Sequence, residues 1–243
     1  MNRFDVVIVG AGSAGCALAS RLSENPDRSV LLLEAGRDFV GPGAFPRDLL
    51  DASTMVAAAQ GHADSWSLDA RLTDSRTTNV PRGKVIGGSS TVNGGVFVRA
   101  TVDDFERWAA LGNDKWSFDE VLTYFKRLED DRDFPDEAYH GRGGPMPVQR
   151  AMGADLHPLS QSFIAACELL GHRFEPDKNA PGAGGCGPLP RNVVDGVRIN
   201  AAVAYIAPHR HRPNLVIESE VMARRILFSG SRATGVEVER AGG

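Results

Sequence analysis

Four consecutive apolar residues, Val6-Val7-Ile8-Val9, run straight into Gly10-Ala11-Gly12-Ser13-Ala14-Gly15. A short, unbroken, β-branched run of this kind predicts a strand buried on both faces of a parallel sheet. Ala14, Leu18, Ala19 and Leu22 then recur at helical spacing, with Arg21 on the polar side, until Asn25-Pro26-Asp27 ends the pattern. A second apolar run, Ser29 to Leu33, stops at Glu34. Strand, helix and strand thus follow within about thirty residues, the length a βαβ unit needs.

Farther along, Thr101-Val102-Asp103-Asp104 predicts a helix start, with Thr101 as N-cap and Asp104 at N3, and Ser117-Phe118-Asp119-Glu120 predicts a full capping box. The helix after Ser117 carries Phe118, Val121, Leu122, Phe125 and Leu128 on one face, a stripe read as core. Pro158 and Gly171 bracket a further helix, with Leu159, Phe163, Ile164, Cys167 and Leu170 as its buried side. Leu215-Val216-Ile217 predicts a strand. Arg225–Phe228 and Thr234–Glu239 predict a hairpin about Ser229-Gly230, with Glu237 and Glu239 on a wet face. Positions 41–79 read as mixed loop and helix, and 179–190 as a loop rich in Gly and Pro.

Composition narrows the function classes. The 243 residues are 42% hydrophobic and 24% charged, ordinary globular usage that excludes bulk disorder. A formal net charge of -4 gives no electrostatic reason for a nucleic-acid or anionic-membrane partner. The opening apolar run is too short for a signal peptide or a membrane span, so a cytoplasmic, soluble protein is expected. Cys16, Cys167 and Cys186 are widely spaced and read as small buried hydrophobes, with neither a disulfide framework nor a thiolate metal site. The six histidines show no metal-ligand spacing, so no metal is expected. Neither a serine-hydrolase nucleophile motif nor a Walker lysine is present.

The glycine motif carries the first candidate chemistry. Gly10 makes the tight turn out of the strand, Gly12 lets a pyrophosphate approach the backbone, and Gly15 lets helix and sheet pack closely. Ser13 and Ala14 stand at the helix start, where free amides and a positive dipole end suit a diphosphate. Glu34, followed by Ala35, ends the second strand, where a carboxylate accepts from both ribose hydroxyls of an adenosine and repels a 2′-phosphate. NADP is therefore disfavoured, while NAD and FAD both satisfy this motif.

A second motif extends from Arg82 through Gly83-Lys84-Val85-Ile86-Gly87-Gly88-Ser89-Ser90-Thr91-Val92-Asn93-Gly94-Gly95. Its glycine pairs and small hydroxyl residues expose main chain against which a flat ligand can lie. Together with Leu32-Leu33-Glu34-Ala35-Gly36, it resembles the glucose–methanol–choline oxidoreductases. The resemblance continues through Asp104 to Trp108, Trp116 to Phe118, Val121 to Glu129, Tyr139 to Gly141, Gly143 to Pro145, Ala204 to Pro208 and Arg212 to Leu215. The stretch from Val193 to Arg198 is similar to the mycofactocin-associated branch.

That resemblance implies an α/β fold: a Rossmann-like FAD-binding domain with a three-layer sheet, interrupted by part of a discontinuous α+β substrate domain. The segments expected are 1–37 (FAD-binding βαβ), 38–80 (lid or linker, with a face for a homodimer), 81–155 (FAD loop and helices), 156–206 (substrate domain) and 207–243 (FAD-domain strand and hairpin). Arg82, Val85, Gly88, Ser89, Asn93, Gly94, Gly95 and Val96 would lie along the pyrophosphate, ribityl chain and ring edge. Ala223 would place main chain against adenine. Where some members tether the flavin through a histidine before the asparagine, this chain has Val92, so non-covalent FAD is expected. The implied activity is oxidation of a small-molecule alcohol to a carbonyl by hydride transfer to the flavin, with the electron acceptor unspecified. The family's C-terminal catalytic histidine has no match before Gly243, so the chain reads as an N-terminal part without a catalytic residue. An NAD-dependent dehydrogenase and an inactive binding module are the alternatives.

Overall fold

In a computed structural model describing residues 3–182 and 184–240, the first strand is Val6–Val9, the first helix Ser13–Leu22 and the second strand Val30–Leu33. Leu215–Glu218 completes a three-stranded parallel sheet in which Val6 faces Val30 and Val30 faces Leu215. The chain end at 241–243, Met1, Asn2 and Ala183 of the 179–190 loop lie outside the described residues. The chain divides into two units, one comprising 1–94 with 196–243 and the other 95–195.

In the first unit, the Arg212-Pro213-Asn214 stretch delivers the third strand to its place. The Asn214 side-chain amide donates to the carbonyls of Ser23, Asn25 and Arg28 at 3.1, 2.9 and 2.9 Å. Arg212 Nη1 donates to Ser20 O at 2.6 Å and Ser23 Oγ at 2.9 Å. The bonds to Ser20 and Ser23 close the C-terminal end of the first helix, and those to Asn25 and Arg28 hold the turn that follows it. The helix buries Cys16 and Ala19, and a π-helical turn, Ala202–Ile206, buries Tyr205 and Ile206 against it.

Two further anchors hold the connecting segments of this unit. Arg198 is fully buried and donates to the carbonyls of Leu49 (2.7 Å), Thr91 (3.1 Å) and Thr54 (3.1 Å), joining the 47–54 stretch to the end of the helical turn Ser89–Val92. Arg210 grips Asp38 with two bonds of 2.7 and 2.6 Å, the fork geometry in which Arg surpasses Lys.

Several expectations need correction. The first strand is not buried on both faces: Val7 and Val9 are exposed while Ile8 is buried, because alternate side chains point to opposite faces and the described residues leave the Val7–Val9 face open. The 41–79 stretch contains an antiparallel pair, Leu68–Thr73 with Arg76–Val80. The expected C-terminal hairpin is present and longer, Val221–Ser229 with Arg232–Arg240 around Gly230 at φ +60.

In the second unit, helices Val102–Ala110 and Phe118–Leu128 bury Phe105, Phe118 and Val121 together, with Leu122 and Phe125 packed beside them. Thr101 and Asp104 form the expected capping box. Ser117 does not cap through its side chain; Phe118 N instead donates to Glu106 Oε1 at 3.1 Å, which satisfies that helix end from the neighbouring helix. The helix Pro158–Leu169 buries none of its residues, and Leu159, Phe163 and Leu170 are exposed because the described residues place no partner over that face. Cys167 and Cys186 are likewise only partly buried.

The centre of this unit is charged rather than apolar. Buried Glu129 pairs with Arg99 and accepts from His140 Nδ1 at 2.9 Å, while His140 Nε2 lies 2.9 Å from Asp177. Arg150 Nη1 bonds Asp131 at 2.9 Å and its Nη2 bonds Asp177 at 2.7 Å. Counting His140 as imidazolium, three buried cations balance three buried carboxylates, the condition under which buried charge is tolerated. Part-exposed Asp133 also lies 3.3 Å from Arg150 Nη1. Burial opposes the charge on His140, yet hydrogen bonds to Asp177 and Glu129 overcome it and push its pKa up to about 9. Burial also opposes charge on Asp177, but His140, the Asn179 amide and Arg150 hold its carboxyl down at about 2.

Removing one partner leaves the others buried and uncompensated. Glu129→Gln or His140→Gln is expected to cost about 3–5 kcal/mol, read from denaturant midpoints. The imidazolium contributes fully below its ordinary pKa of 6.5, and that stability is lost as pH rises through about 9. The Asp177 carboxylate contributes above its ordinary 3.8, and that stability is lost as pH falls through about 2. Denaturation across pH should therefore show both losses in the parent and no alkaline loss from this pair in His140→Gln.

Candidate functional site

The C-terminal ends of the first two strands open onto a cleft of about 400 Å³ in the first unit. Its floor is main chain. Gly12 caps the first helix without a side-chain bond, and no acid stands in the first turn, so the helix presents its amides and positive end uncompensated. Opposite, Gly88 adopts φ +55, and a Cβ there would lie 2.6 Å from Gly12 Cα. Two backbone segments thus meet where a side chain on Gly88 would separate them. Gly15 answers a different constraint, because a Cβ there would collide with the Gly10 carbonyl and the turn closes only with glycine at 15.

Glu34 forms one wall and holds the turn in shape. Its Oε2 accepts from Ala11 N and its Oε1 from Gly36 N, both at 2.8 Å. Burial pushes its carboxyl above the ordinary value, against the amides of Gly36 and Ala11, which favour the charge. Each oxygen accepts one such amide and retains capacity for a second donor, as two adjacent ribose hydroxyls would supply.

Of the residues expected from sequence, Gly10, Gly12, Ser13, Glu34, Ala35, Gly88, Ser89 and Ala223 line this cleft together. Ala14, Gly15, Arg82, Val85, Asn93 and Gly94 belong to the same unit but are outside the lining. Val85 is fully buried, so its side chain serves the core. Arg82 is exposed and donates to Pro81 O at 2.9 Å. Gly95 and Val96 fall in the second unit. Sequence reasoning missed Val9, Leu33, Trp66, Val221 and Met222 as lining residues, while Gly83 stood within the second motif without a role of its own. The signal for Gly83 was present: its Cβ would strike the Gly88 carbonyl, so the glycines at 83 and 88 form one close approach.

Sequence spacing also missed a second cluster. Glu129, Asp131 and His140 bring potential metal-ligating atoms within 4.8 Å of one another. Both imidazole nitrogens already face carboxylates, and Arg150 occupies Asp131. Glu129 Oε2 is without a hydrogen-bond partner. An ion here would have to displace the His140 proton and an arginine, so the donor set fits a proton better than a metal.

An uncapped helix N-terminus, an acid ending the second parallel strand and a glycine-on-glycine floor define a dinucleotide-binding α/β protein. Residues 4–243 match the GMC oxidoreductase family, and the chain belongs to it. An uncharacterised GMC-type oxidoreductase of Rhodococcus erythropolis is 44% identical over 96% of this chain and 46% of its own length. An oxygen-dependent choline dehydrogenase of Vibrio vulnificus is 39% identical over 99% of this chain and 42% of its own. Among solved structures, pyridoxine 4-oxidase from Mesorbium loti superposes with a TM-score of 0.90 at 34% identity, over 99% of this chain and 47% of that one. An FAD-dependent oxidoreductase from Chaetomium thermophilum gives 0.83 at 27% identity, over 99% and 42%. The chain thus spans less than half the length of these relatives. Among the described residues, no helix is long and apolar enough to cross a membrane.

Gly88→Ala combines the Gly12 collision with an unfavourable positive φ, together worth about 1–3 kcal/mol or more of strain. Titration of flavin into the purified protein, followed by fluorescence quenching, should show roughly tenfold or greater weakening. Gly43→Ala, with open space around its Cβ, should leave the titration unchanged.

Proposed function

We propose that this chain holds FAD non-covalently and forms the cofactor-binding part of a flavoenzyme that oxidises an alcohol to a carbonyl. The observation carrying this reading is the single cleft that gathers Gly12, Glu34, Gly88 and Ala223, residues drawn from four separate stretches of sequence. The N-terminal amides of the first helix would hold the diphosphate, Glu34 the adenosine ribose, and the main chain beside Ala223 the adenine. The Ser89 end of the cleft would border the ring-bearing half of the cofactor. Flavin, when bound, supplies the hydride acceptor that oxidation of a CH–OH group requires.

Val92 supports the non-covalent reading: it is 2% exposed, apolar and packed in the core, with no nucleophile to offer. The substrate class that fits the relatives is a small primary alcohol, to which choline and pyridoxine belong. The proton-accepting base is proposed to lie outside these residues, since the family's C-terminal catalytic histidine has no match within them. An NAD-dependent dehydrogenase would use the Gly10–Glu34 turn equally well, but it leaves the Gly12–Gly88 approach without a purpose.

The purified protein is expected to be yellow, and acid or heat denaturation should release the pigment into the supernatant as free FAD. Pigment that stays with the precipitate would overturn the non-covalent reading, and preferential binding of NAD would overturn the flavin reading. With choline under anaerobic conditions, the flavin bound to these 243 residues alone should keep its absorbance. Bleaching would show that the base lies within them.

A further inference from the structure

Trp66 is the one aromatic ring among the described residues lining the cleft. A strand pairing fixes its backbone. Trp66 N donates to Arg82 O and Lys84 N donates to Asp64 O, both at 2.8 Å, on either side of an antiparallel bridge between Ser65 and Gly83. This bridge keeps the register in which Leu68 faces Val80, so the pairing of Leu68–Thr73 with Arg76–Val80 carries on to the edge of the cleft. Side chains alternate along such a pair. The vacant side of Gly83 faces the Gly88 carbonyl, while Arg82 and Lys84 stand on the side of Trp66.

Lys84 is the diagonal neighbour of Trp66 in this pairing, a separation that an aromatic ring and a long side chain can bridge. Its Nζ lies 4.9 Å from the centre of the indole, within the range of a cation–π contact, and Trp is the ring that attracts a cation most strongly. Lys84 forms no ion pair among the described residues, so the ring is its partner. Asp64, opposite Lys84, is buried and held by Arg37 through bonds of 3.0 and 2.6 Å. Ser67, directly after Trp66, takes φ +47, a left-handed conformation uncommon for a residue with a side chain. Trp66 nevertheless stays 38% exposed, and Lys84 is absent from the cleft lining. The ammonium and the ligand space therefore meet different parts of the same ring.

We propose that Lys84 is a positioning residue for the cofactor, acting through Trp66: its ammonium clamps the indole so that the ring stands ready as an aromatic wall of the cleft. This inference rests on the reading of the cleft as a flavin site, since such a wall serves a flat, aromatic ligand. An unclamped indole exchanges between rotamers, and a ligand would have to order it on binding. A clamped one is already in place. The lysine acts on the indole and not on the ligand's diphosphate.

A double-mutant cycle on Lys84→Met and Trp66→Leu, read by titration of FAD and its fluorescence quenching, tests this. Lys84→Met keeps the apolar stem and removes the charge. It should weaken flavin binding about two- to fivefold, the factor equivalent to an exposed cation–π contact of about 0.5–1 kcal/mol. Lys84→Arg, whose guanidinium also stacks on aromatic faces, should bind within about twofold of the parent. Trp66→Leu should weaken binding at least as much as Lys84→Met, and adding Lys84→Met to it should change nothing further. A ligand-free arm follows Trp66 as the sole indole, with Trp108 and Trp116 replaced by Phe. There Lys84→Met should lower the indole's fluorescence anisotropy and raise its quenching by acrylamide. An equal Lys84→Met loss with and without Trp66 would overturn the proposal, because the charge would then act on the ligand directly. Undiminished binding by Trp66→Leu, or an unchanged indole signal in Lys84→Met, would overturn it too. A parent that takes up no flavin would instead overturn the cofactor reading, with the indole signal still deciding the clamp.

Discussion

The cleft depends on two backbones touching. Gly88 approaches Gly12 so closely that it cannot carry a side chain, and Gly83 repeats the demand against the Gly88 carbonyl. Main-chain amides can then face a ligand directly. The advantage is geometric: a fixed amide gives up less freedom on binding than a long side chain recruited from solvent. Glu34 extends the same economy, since one carboxylate bonds the amides of Ala11 and Gly36 and also forms the cleft wall. The part of the turn that recognises a ligand is therefore also the part that keeps its shape.

The two units meet the problem of burying polar atoms in opposite ways. In the first, Arg198, Arg212 and Asn214 donate to carbonyls at helix ends and loops, so a few side chains satisfy backbone groups left open by the connections. In the second, Arg99, Glu129, Asp131, His140, Arg150 and Asp177 pair with one another in a buried cluster of charges. Such a set contributes little net stability over an apolar core of the same size, yet it is intolerant of any single loss.

The β-α-β turn was legible in the sequence because its signals are local: a β-branched run, three glycines, helical spacing and a terminal acid fall within a short stretch. The strand at Leu215 and the cap at Thr101 were legible for the same reason. Burial was not. Val7 and Val9 look like a strand covered on both faces, and Phe163 looks like core, because hydrophobicity records what a residue prefers and not what is packed against it. The capping box at Ser117 failed because a carboxylate on another helix reached the amide first. Trp66 in the cleft and the charged centre around His140 were invisible because their partners lie far away in sequence. The family resemblance extended the reading to Ser89 and Ala223, which no local periodicity marks out.

Asn214 and Arg212 have a consequence for how the chain is made. They guide into the sheet a strand that emerges roughly 180 residues after its partner at Leu33. At about 5–20 residues per second, ribosomal synthesis leaves the edge of that partner unpaired for on the order of 10–40 s. An apolar strand, Val30–Leu33, must wait through that interval with its hydrogen-bonding groups open. Biogenesis of such a chain therefore favours a cell that shields nascent polypeptides, and slow translation would lengthen the exposure.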